Sequence, residues 1–246
     1  MGGKVYLVGA GPGDPGLITV KGLTVLRAAD VVVYDRLVPT ELLKEVKPGC
    51  ELIYAGKSPG HHELSQEEIE RLLVDRARRG LLVVRLKGGD PYTFGRGEEE
   101  CEHVLSQGVD CEVVPGVPSY VGAAAYAGIP LAGRVYGSMM VLATGHVAGD
   151  EADLDRYLER LAEVSRLADN VVVLMGASTA SRVLRAIMRG KGPDAPAAAV
   201  MNATMPSQAT ISGTVSDLAV RAERGEIRNP AVIVVGPAVL ARGRLW

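Results

Sequence analysis

The chain has few aromatic residues, little net charge and no long apolar run. Only 4% of its 246 residues are aromatic, with one Phe and one Trp, and the formal net charge is −2. Scarce aromatics disfavour a stacking platform for single-stranded nucleic acid, and the near-neutral charge argues against a duplex-binding surface. No apolar run approaches the ~20 residues of a membrane helix, and no signal-peptide pattern opens the chain. We therefore expect a cytoplasmic protein that binds neither nucleic acid nor membranes.

Cysteine and histidine are also sparse. The three cysteines, Cys50, Cys101 and Cys111, form no Cys-x-x-Cys pair. An odd count without a secretory segment predicts reduced thiols in ordinary buried or surface positions. The histidines show no metal-ligand spacing, so we expect no bound metal.

Short β-branched runs alternate with longer amphipathic stretches, which predicts an α/β fold with mostly parallel strands and crossover helices. In the first half we expect strands at 5–9, 31–34, 51–54, 81–86 and 111–114, and helices at 19–28, 39–45, 66–78 and 98–106. In the second half we expect strands at 139–144, 171–175, 198–201, 208–212 and 231–235, and helices at 119–127, 151–161, 179–188 and 215–224. The sequence pattern changes after Pro115-Gly116, which predicts two α/β domains, 1–116 and 117–246.

Two glycine-rich loops each follow a short apolar run. The first is Gly9-Ala10-Gly11-Pro12-Gly13, and the second is Lys87-Gly88-Gly89-Asp90-Pro91. Open α/β sheets bind ligands at the carboxyl ends of their strands, and glycine lets backbone approach a ligand closely. The pair of loops therefore indicates a small-molecule crevice.

The first loop alone leaves its ligand open. With Asp35 at the end of the next strand it could bind a dinucleotide, or it could be a tight turn that binds nothing. Pro12 and Pro15 delay entry into the helix whose N-terminus would meet a pyrophosphate, and Asp14 occupies the third glycine position. The second loop, residues 85–97, exceeds an ordinary connection. Together the loops favour a ligand with a nucleoside end and an amino-acid end.

With these loops the chain resembles the tetrapyrrole methylase family. The Tyr-Asp-Arg-Leu-Val run at 34–38, followed by Gly56-Lys57, is the most specific match. Matching segments also lie at 8–15, 29–38, 62, 66–69, 84–97, 113–116, 125–131, 144–146, 175–176 and 202–204. The resemblance implies a homodimer whose subunits have two α/β domains with the active-site trough between them.

The resemblance also implies a cofactor, S-adenosylmethionine, which becomes S-adenosylhomocysteine and is held mostly by main-chain groups. The implied cofactor-binding residues are Pro12, Gly88, Gly89, Asp90 and Thr93 of the first domain and Pro118, Ser119, Met175 and Ala203 of the second. The implied reaction methylates uroporphyrinogen III at two ring carbons, C2 and C7. Its product, precorrin-2, leads to sirohaem and cobalamin.

This chemistry needs alignment for in-line methyl transfer and a base that removes a proton from the methylated ring. Asp35 is the candidate base. Lys57 matches the family's proton donor, although it could instead hold a substrate carboxylate. The substrate is a polycarboxylate, which arginine can bind through two parallel hydrogen bonds. The candidate substrate-binding residues are Arg36, Arg85, Arg96 and Arg134, each of which could equally form a surface or interdomain ion pair, and His62.

The sequence departs from the family pattern at Glu98, Pro118, Tyr120, Ala132-Gly133 and Ala203. Pro118 matters most, because it replaces a hydroxyl residue and has no N–H to donate. Two other functions remain open. One is methylation of a later corrin precursor, and the other is a binding module for nucleotides or tetrapyrroles that does not turn over.

Overall fold

The computed structural model describes residues 2–56 and 64–245. Distances between Cα atoms divide the chain into two compact units, Met1–Ser119 and Tyr120–Trp246. The division therefore falls after Ser119, three residues later than the boundary expected after residue 116. Pro118 and Ser119 therefore belong to the first unit and not, as expected, to the second.

The first unit contains a parallel sheet. Its strands are β1 (Lys4–Gly9), β2 (Val31–Tyr34), β3 (Glu51–Tyr54), β4 (Leu82–Lys87) and β5 (Asp110–Val114). Their order is β3-β2-β4-β1-β5, and every neighbouring pair is parallel. The helices are α1 (Val20–Ala28), α2 (Gln66–Arg78) and α3 (Gly97–Ser106), with 3-10 turns at Pro15–Leu17 and Leu42–Lys44. The predicted α/β class and parallel strands are confirmed for this unit.

Alternate residues of the central strands face two separate helical layers. Val31 and Val33 of β2 pack in one cluster with Leu73 of α2. Val32, between them, packs in another cluster with Leu26 of α1. Successive side chains of a strand point to opposite faces, so β2 is buried on both sides. This burial explains why β2 is a continuous apolar run.

Helix α2 begins and ends where the sequence predicts. The Ser65 hydroxyl accepts a hydrogen bond from the Glu68 N–H, and the Glu68 carboxylate accepts one from the Ser65 N–H. This reciprocal pair satisfies donors that the first turn would otherwise leave free. In contrast, the helix predicted over 39–45 is only the 3-10 turn Leu42–Lys44. A segment that short gains too little from helix formation to overcome the cost of nucleation.

Cys101 of α3 and Cys111 of β5 form a disulfide, with their Cα atoms 5.8 Å apart. The prediction that these cysteines are reduced is therefore wrong in this structure, and Cys50 is a free thiol. The pair forms because α3 packs on β5 after a tight turn. That packing brings the two positions within the Cα separation a disulfide requires.

The second unit contains a mixed sheet. Its strands are β6 (Met140–Thr144), β7 (Asn170–Leu174), β8 (Pro196–Met201), β9 (Ala209–Thr214) and β10 (Ala231–Val235), in the order β6-β7-β10-β8-β9. Only β6 and β7 pair in parallel; the other three neighbouring pairs are antiparallel. The expectation of mostly parallel strands is thus wrong here. The segment between β8 and β9 is too short for the crossover helix that a parallel pair needs.

The helices of this half are α4 (Ser119–Tyr126), α5 (Glu151–Leu167), α6 (Ala180–Lys191), α7 (Val215–Glu223) and α8 (Arg242–Leu245), with a 3-10 turn at Pro237–Ala241. Helix α5 continues past the predicted end at residue 161, because Leu158, Leu161, Ala162 and Ser165 form one buried stripe. Across residues 2–56 and 64–245, no helix combines the length and apolar character needed to cross a membrane.

Candidate functional site

The glycine loops of the first unit meet at the carboxyl ends of β1, β4 and β5. The Gly11 N–H donates to the Gly89 carbonyl at 3.2 Å, and the Gly89 N–H donates to the Gly11 carbonyl at 2.8 Å. A Cβ at Gly9 would lie 2.5 Å from the Gly116 nitrogen, and one at Gly116 would lie 2.3 Å from the Gly89 oxygen. No side chain fits at these positions. The loops therefore form an edge lined by backbone, as the two-loop pattern predicts.

Asp90 joins two of these loops through its carboxylate. Its Oδ1 accepts hydrogen bonds from the Tyr92 N–H at 3.0 Å and the Thr93 hydroxyl at 3.1 Å. Its Oδ2 accepts one from the Gly116 N–H at 3.2 Å. Asp90 thus holds the loop after β4 against the loop after β5. The structure brings Gly88, Gly89, Asp90 and Thr93 together, with Ser119 Oγ only 3.0 Å from where a Gly89 Cβ would lie.

The first loop does not lead directly into a helix. The Asp14 carboxylate accepts a hydrogen bond from the Gly16 N–H at 2.8 Å and caps the 3-10 turn Pro15–Leu17. Helix α1 begins only at Val20, after the N-cap Thr19. A dinucleotide turn places pyrophosphate on the N-terminus of the helix that follows the loop at once. The intervening turn therefore argues against the dinucleotide alternative.

The candidate base Asp35 lies directly after β2, beside β4. Register pairs Arg85 of β4 with Val33 of β2, two residues before Asp35. Arg85 Nη2 donates to Asp35 Oδ1 at 2.6 Å, and Arg85 Nε donates to Glu100 Oε1 at 3.2 Å. Side-chain exposure is 34% for Asp35, 3% for Arg85 and 0% for Glu100. Asp35 is accessible to a ligand, whereas the two groups behind it are not.

Lys87 completes this buried charge group. Its Nζ donates to Glu100 Oε1 at 2.9 Å. Burial lowers the pKa of Lys87, and the positive charge of Arg85 lowers it further. Burial also opposes the charge on Arg85, but the carboxylates of Asp35 and Glu100 outweigh it and raise the pKa of the guanidinium. Arg85 therefore carries its charge at any physiological pH.

Sequence reasoning missed Glu100 altogether. The buried residues of α3 are Gly97, Glu100, Cys101 and Val104, which follow helical spacing. Glu100 is the one carboxylate in that otherwise uncharged stripe. A charged residue on the buried face of a helix needs a partner, and this is the signal that could have located it.

The candidate substrate-binding cations are placed differently from one another. Arg36 and Arg134 are exposed, and neither forms an ion pair within the described part of the chain. Arg96 is exposed but bonded to Glu99 through Nε at 3.0 Å and Nη2 at 2.7 Å. Arg85 is buried, which does not fit the expectation that it contacts a substrate carboxylate directly. Lys57 and His62 lie outside the described residues.

In the second unit, unusual backbone follows β7 and β8. Met175 (φ +54°), Asn202 (φ +47°) and Thr204 (φ +66°) adopt left-handed conformations. Such conformations cost free energy in residues other than glycine and cluster at functional sites. Met175 is exposed directly after β7, while Ala203 packs against the apolar cluster under α4. Apart from the family motifs, the sequence carried no sign of these backbone angles.

A second close approach of glycines lies beside Met175. A Cβ at Gly145 would lie 2.2 Å from the Gly176 Cα atom. The Gly145 N–H donates to the Leu174 carbonyl at 2.7 Å, and the Thr179 hydroxyl donates to the Gly145 carbonyl at 2.6 Å. The ends of β6 and β7 are therefore held together by backbone, as are the loops of the first unit.

Known proteins resemble the chain along nearly its whole length. The family model for tetrapyrrole (corrin/porphyrin) methylases matches residues 4–219. A uroporphyrinogen-III C-methyltransferase from Methanocaldococcus jannaschii is 43% identical over 97% of this chain and 98% of its own. The Thermus thermophilus uroporphyrin-III C-methyltransferase complexed with S-adenosylhomocysteine is 38% identical, with a TM-score of 0.79 over 96% of this chain and 99% of its own.

A third protein is a cobalamin biosynthetic enzyme, cobalt precorrin-4 methyltransferase. It is 33% identical, with a TM-score of 0.82 over 96% of this chain and 95% of its own. All three similarities extend over both units, and the family model spans far more than half of the residues. The chain belongs to the tetrapyrrole methylase family.

Proposed function

We propose that this chain transfers methyl groups from S-adenosylmethionine to C2 and C7 of uroporphyrinogen III and so forms precorrin-2, for sirohaem or cobalamin synthesis. The observation that carries this proposal is the full-length similarity to the methyltransferase of Methanocaldococcus jannaschii. The Thermus thermophilus relative, crystallised with S-adenosylhomocysteine, supports the cofactor. The Asp35 carboxylate, which is one-third exposed, supports a reaction that needs a base.

The backbone edge of the first unit fits such a cofactor. A Cβ at Gly9 or Gly116 would clash with neighbouring backbone, so these glycines let the loops pack backbone against backbone, with Gly89 part of the same contact. Pro12, Gly88, Asp90, Thr93, Pro118 and Ser119 lie on or beside this edge and are the proposed contacts of that unit. In the second unit, the proposed contacts are Met175 and Ala203, which follow β7 and β8.

The cofactor, when bound, supplies a methyl group already activated on a sulfonium. The chain must then hold the acceptor carbon in line with it, which can contribute about 7–11 kcal/mol. Methylation leaves a quaternary carbon and a cationic ring, and Asp35 removes a proton from that ring, a contribution of about 10²–10⁴-fold. Its Oδ1 is bonded to Arg85, so we assign the proton to Oδ2. Lys57 is the proposed proton donor, and Arg36, His62, Arg96 and Arg134 are proposed to bind substrate carboxylates.

The direct test is an anaerobic assay with S-adenosylmethionine and uroporphyrinogen III, with product mass as the readout. We expect two added methyl groups. One added group would mean that the intermediate is released after the first transfer. No transfer, with the cofactor bound in a parallel titration, would contradict the proposed acceptor.

A later corrin precursor is the second candidate acceptor. The similarity to a cobalt precorrin-4 methyltransferase favours it, with a TM-score of 0.82 at 33% identity. The same mass assay with a cobalt corrin precursor separates the two. Turnover of the corrin alone would replace the first proposal.

The role of Asp35 is tested by Asp35→Asn. We expect turnover to fall by about 10²–10⁴-fold while cofactor affinity is retained. Glu163→Gln, an exposed carboxylate on α5, is the matched control. Unchanged turnover in Asp35→Asn would remove the base assignment but would leave the acceptor assignment to the mass assay.

We further propose a homodimer located in the cytoplasm. Large exposed apolar side chains in the second unit, Val135 (78%) and Met139 (56%), support burial against another chain. Sedimentation velocity should give the mass of two chains.

The relatives are bacterial and archaeal enzymes, which supports a location in the cytoplasm. The Cys101–Cys111 disulfide argues against this location, because the cytoplasm keeps thiols reduced. Cell fractionation would show in which compartment the protein lies.

A further inference from the structure

Arg85 uses all three guanidinium nitrogens on groups of its own unit. Nη2 donates to Asp35 Oδ1 at 2.6 Å and Nε donates to Glu100 Oε1 at 3.2 Å. Nη1 lies 3.5 Å from the Val33 carbonyl, one strand away. With a side chain that is 3% exposed, Arg85 has no free edge for a substrate carboxylate. Its contacts all face inwards, apart from the one that reaches Asp35.

Glu100 holds Arg85 from behind. Its Oε1 accepts from both Arg85 and Lys87, and its side chain is completely buried. Glu100 Oε2 has no hydrogen-bond partner among the described residues. Two carboxylates and two cations thus form a balanced group. Desolvating these charges is costly, so the group is a poor choice for stability alone.

The planar guanidinium fixes distances that a flexible cation would not. Its donors lie in a rigid fork. The Arg85 backbone is fixed in β4, and its Nε is bonded to Glu100 of α3. Asp35 itself follows β2 and is one-third exposed, so rotation of its side chain would otherwise be free. The hydrogen bond from Arg85 Nη2 fixes Asp35 Oδ1 and leaves Asp35 Oδ2 without a bond to Arg85.

We propose that Arg85 is a positioning residue for Asp35, fixing Oδ1 so that Oδ2 is held ready to accept the proton that the methylated ring loses, and that Glu100 in turn fixes Arg85. This inference rests on the proposed function, since it gives Asp35 the proton. It replaces the expectation that Arg85 binds substrate.

Arg85→Lys is the first test variant. Lysine keeps the charge, so the buried group stays balanced, but a single ammonium does not reproduce the two-ended fork. We expect kcat to fall by about 10²-fold, the cost of misplacing a catalytic group by about 1 Å. KM for the tetrapyrrole and the Kd of S-adenosylmethionine should change less than about twofold, because ground-state binding is untouched.

Arg76→Lys is the matched control. Arg76 lies in the same unit and bonds two carboxylates, Glu51 at 2.9 Å and Asp75 at 2.8 Å. Glu51 begins β3 at the amino ends of the parallel strands, whereas Asp35 follows the carboxyl end of β2. Turnover in this variant should equal that of the unaltered chain.

The decisive measurement combines Arg85→Lys with Asp35→Asn, using single turnovers with radiolabelled cofactor. If Arg85 acts through Asp35, the lysine substitution has no further effect in the Asp35→Asn background. A full additional loss there would overturn the proposal. A raised KM with unchanged kcat would also overturn it and make Arg85 a substrate ligand.

Failure of the base assignment is distinguishable from failure of this inference. A fully active Asp35→Asn variant removes the base, and with it the function we assign to the Arg85 bond. A slow Asp35→Asn variant combined with a fully active Arg85→Lys variant overturns only the positioning. Should Arg85→Lys fail to fold, Glu100→Gln tests the same chain of contacts. Glu100→Gln should lower kcat when Asp35 is present and should have no further effect in the Asp35→Asn variant. A loss of kcat in both contradicts the proposal.

Discussion

The backbones of Gly11 and Gly89 exchange two hydrogen bonds, at 3.2 and 2.8 Å. The two residues follow the neighbouring parallel strands β1 and β4, and beyond the end of that pairing they form an isolated antiparallel bridge. The exchange keeps two glycine loops flat against each other. Backbone groups, and not side chains, therefore form the edge at which we place the cofactor.

Gly116→Ala should disrupt this edge. The new Cβ would lie 2.3 Å from the Gly89 oxygen and 2.7 Å from the Gly9 Cα atom, so backbone must move. We expect a loss of at least about 1–3 kcal/mol in the free energy of unfolding and loss of cofactor binding. Urea unfolding and calorimetric titration measure these. Gly243→Ala, whose Cβ meets nothing within 4 Å, should change neither, and an unaffected Gly116→Ala would contradict the close approach.

Asp90→Asn should weaken cofactor binding through the loop that Asp90 holds. Both carboxylate oxygens accept hydrogen bonds, from Tyr92, Thr93 and Gly116, and an amide nitrogen does not accept. A lost bond of this kind costs about 1–3 kcal/mol, so we expect the Kd of S-adenosylmethionine to rise about tenfold or more. Asp110→Asn, on an exposed position of β5, serves as the control. Equal Kd values would show that the loop holds its shape without Asp90.

Glu112 makes stability depend on pH in acid. Hydrogen bonds from Lys21 and then Lys4 lower the pKa of Glu112 from 4.5 to about 2. A lowered folded-state pKa contributes stability that is present above about pH 4.5 and is lost as the pH falls towards 2. Glu112→Gln should therefore flatten the loss of unfolding free energy between about pH 5 and about pH 2.5. The difference in pH dependence between Glu112→Gln and the unaltered chain should shrink in high salt, because salt screens these exposed charges.

Urea unfolding across that range tests the assignment, with Glu102→Gln as the control on an exposed site of α3. Parallel curves for Glu112→Gln and the unaltered chain would mean that the two lysines do not hold the carboxylate in solution.

The disulfide makes thiol content a simple measurement. In the unfolded, unreduced chain we expect one reactive thiol, from Cys50, and all three after reduction. Because the bridge closes a short loop, its reduction should lower the free energy of unfolding by about 2–3 kcal/mol. Cys50→Ser should abolish the single thiol without changing stability to a similar extent. Three thiols before reduction would show that Cys101 and Cys111 are merely adjacent in solution.

What the sequence determined by itself is local. Helix α2 was predictable because Ser65 and Glu68 bond each other across a single turn. The paired glycine loops were predictable because glycines directly after an apolar run allow turns and close backbone contacts that other residues do not. Motifs along the chain also determined the family, since they are patterns of neighbouring residues.

Only the tertiary structure decided which distant residues meet. Arg85, Glu100 and Asp35 lie on or after three different elements, and nothing in their spacing shows that they share one buried group. The same is true of Cys101 and Cys111, and of the direction of β10, which pairs antiparallel with both β7 and β8. Partners of this kind depend on how strands and helices stack. That stacking follows from burial summed over the whole unit and not from any one segment.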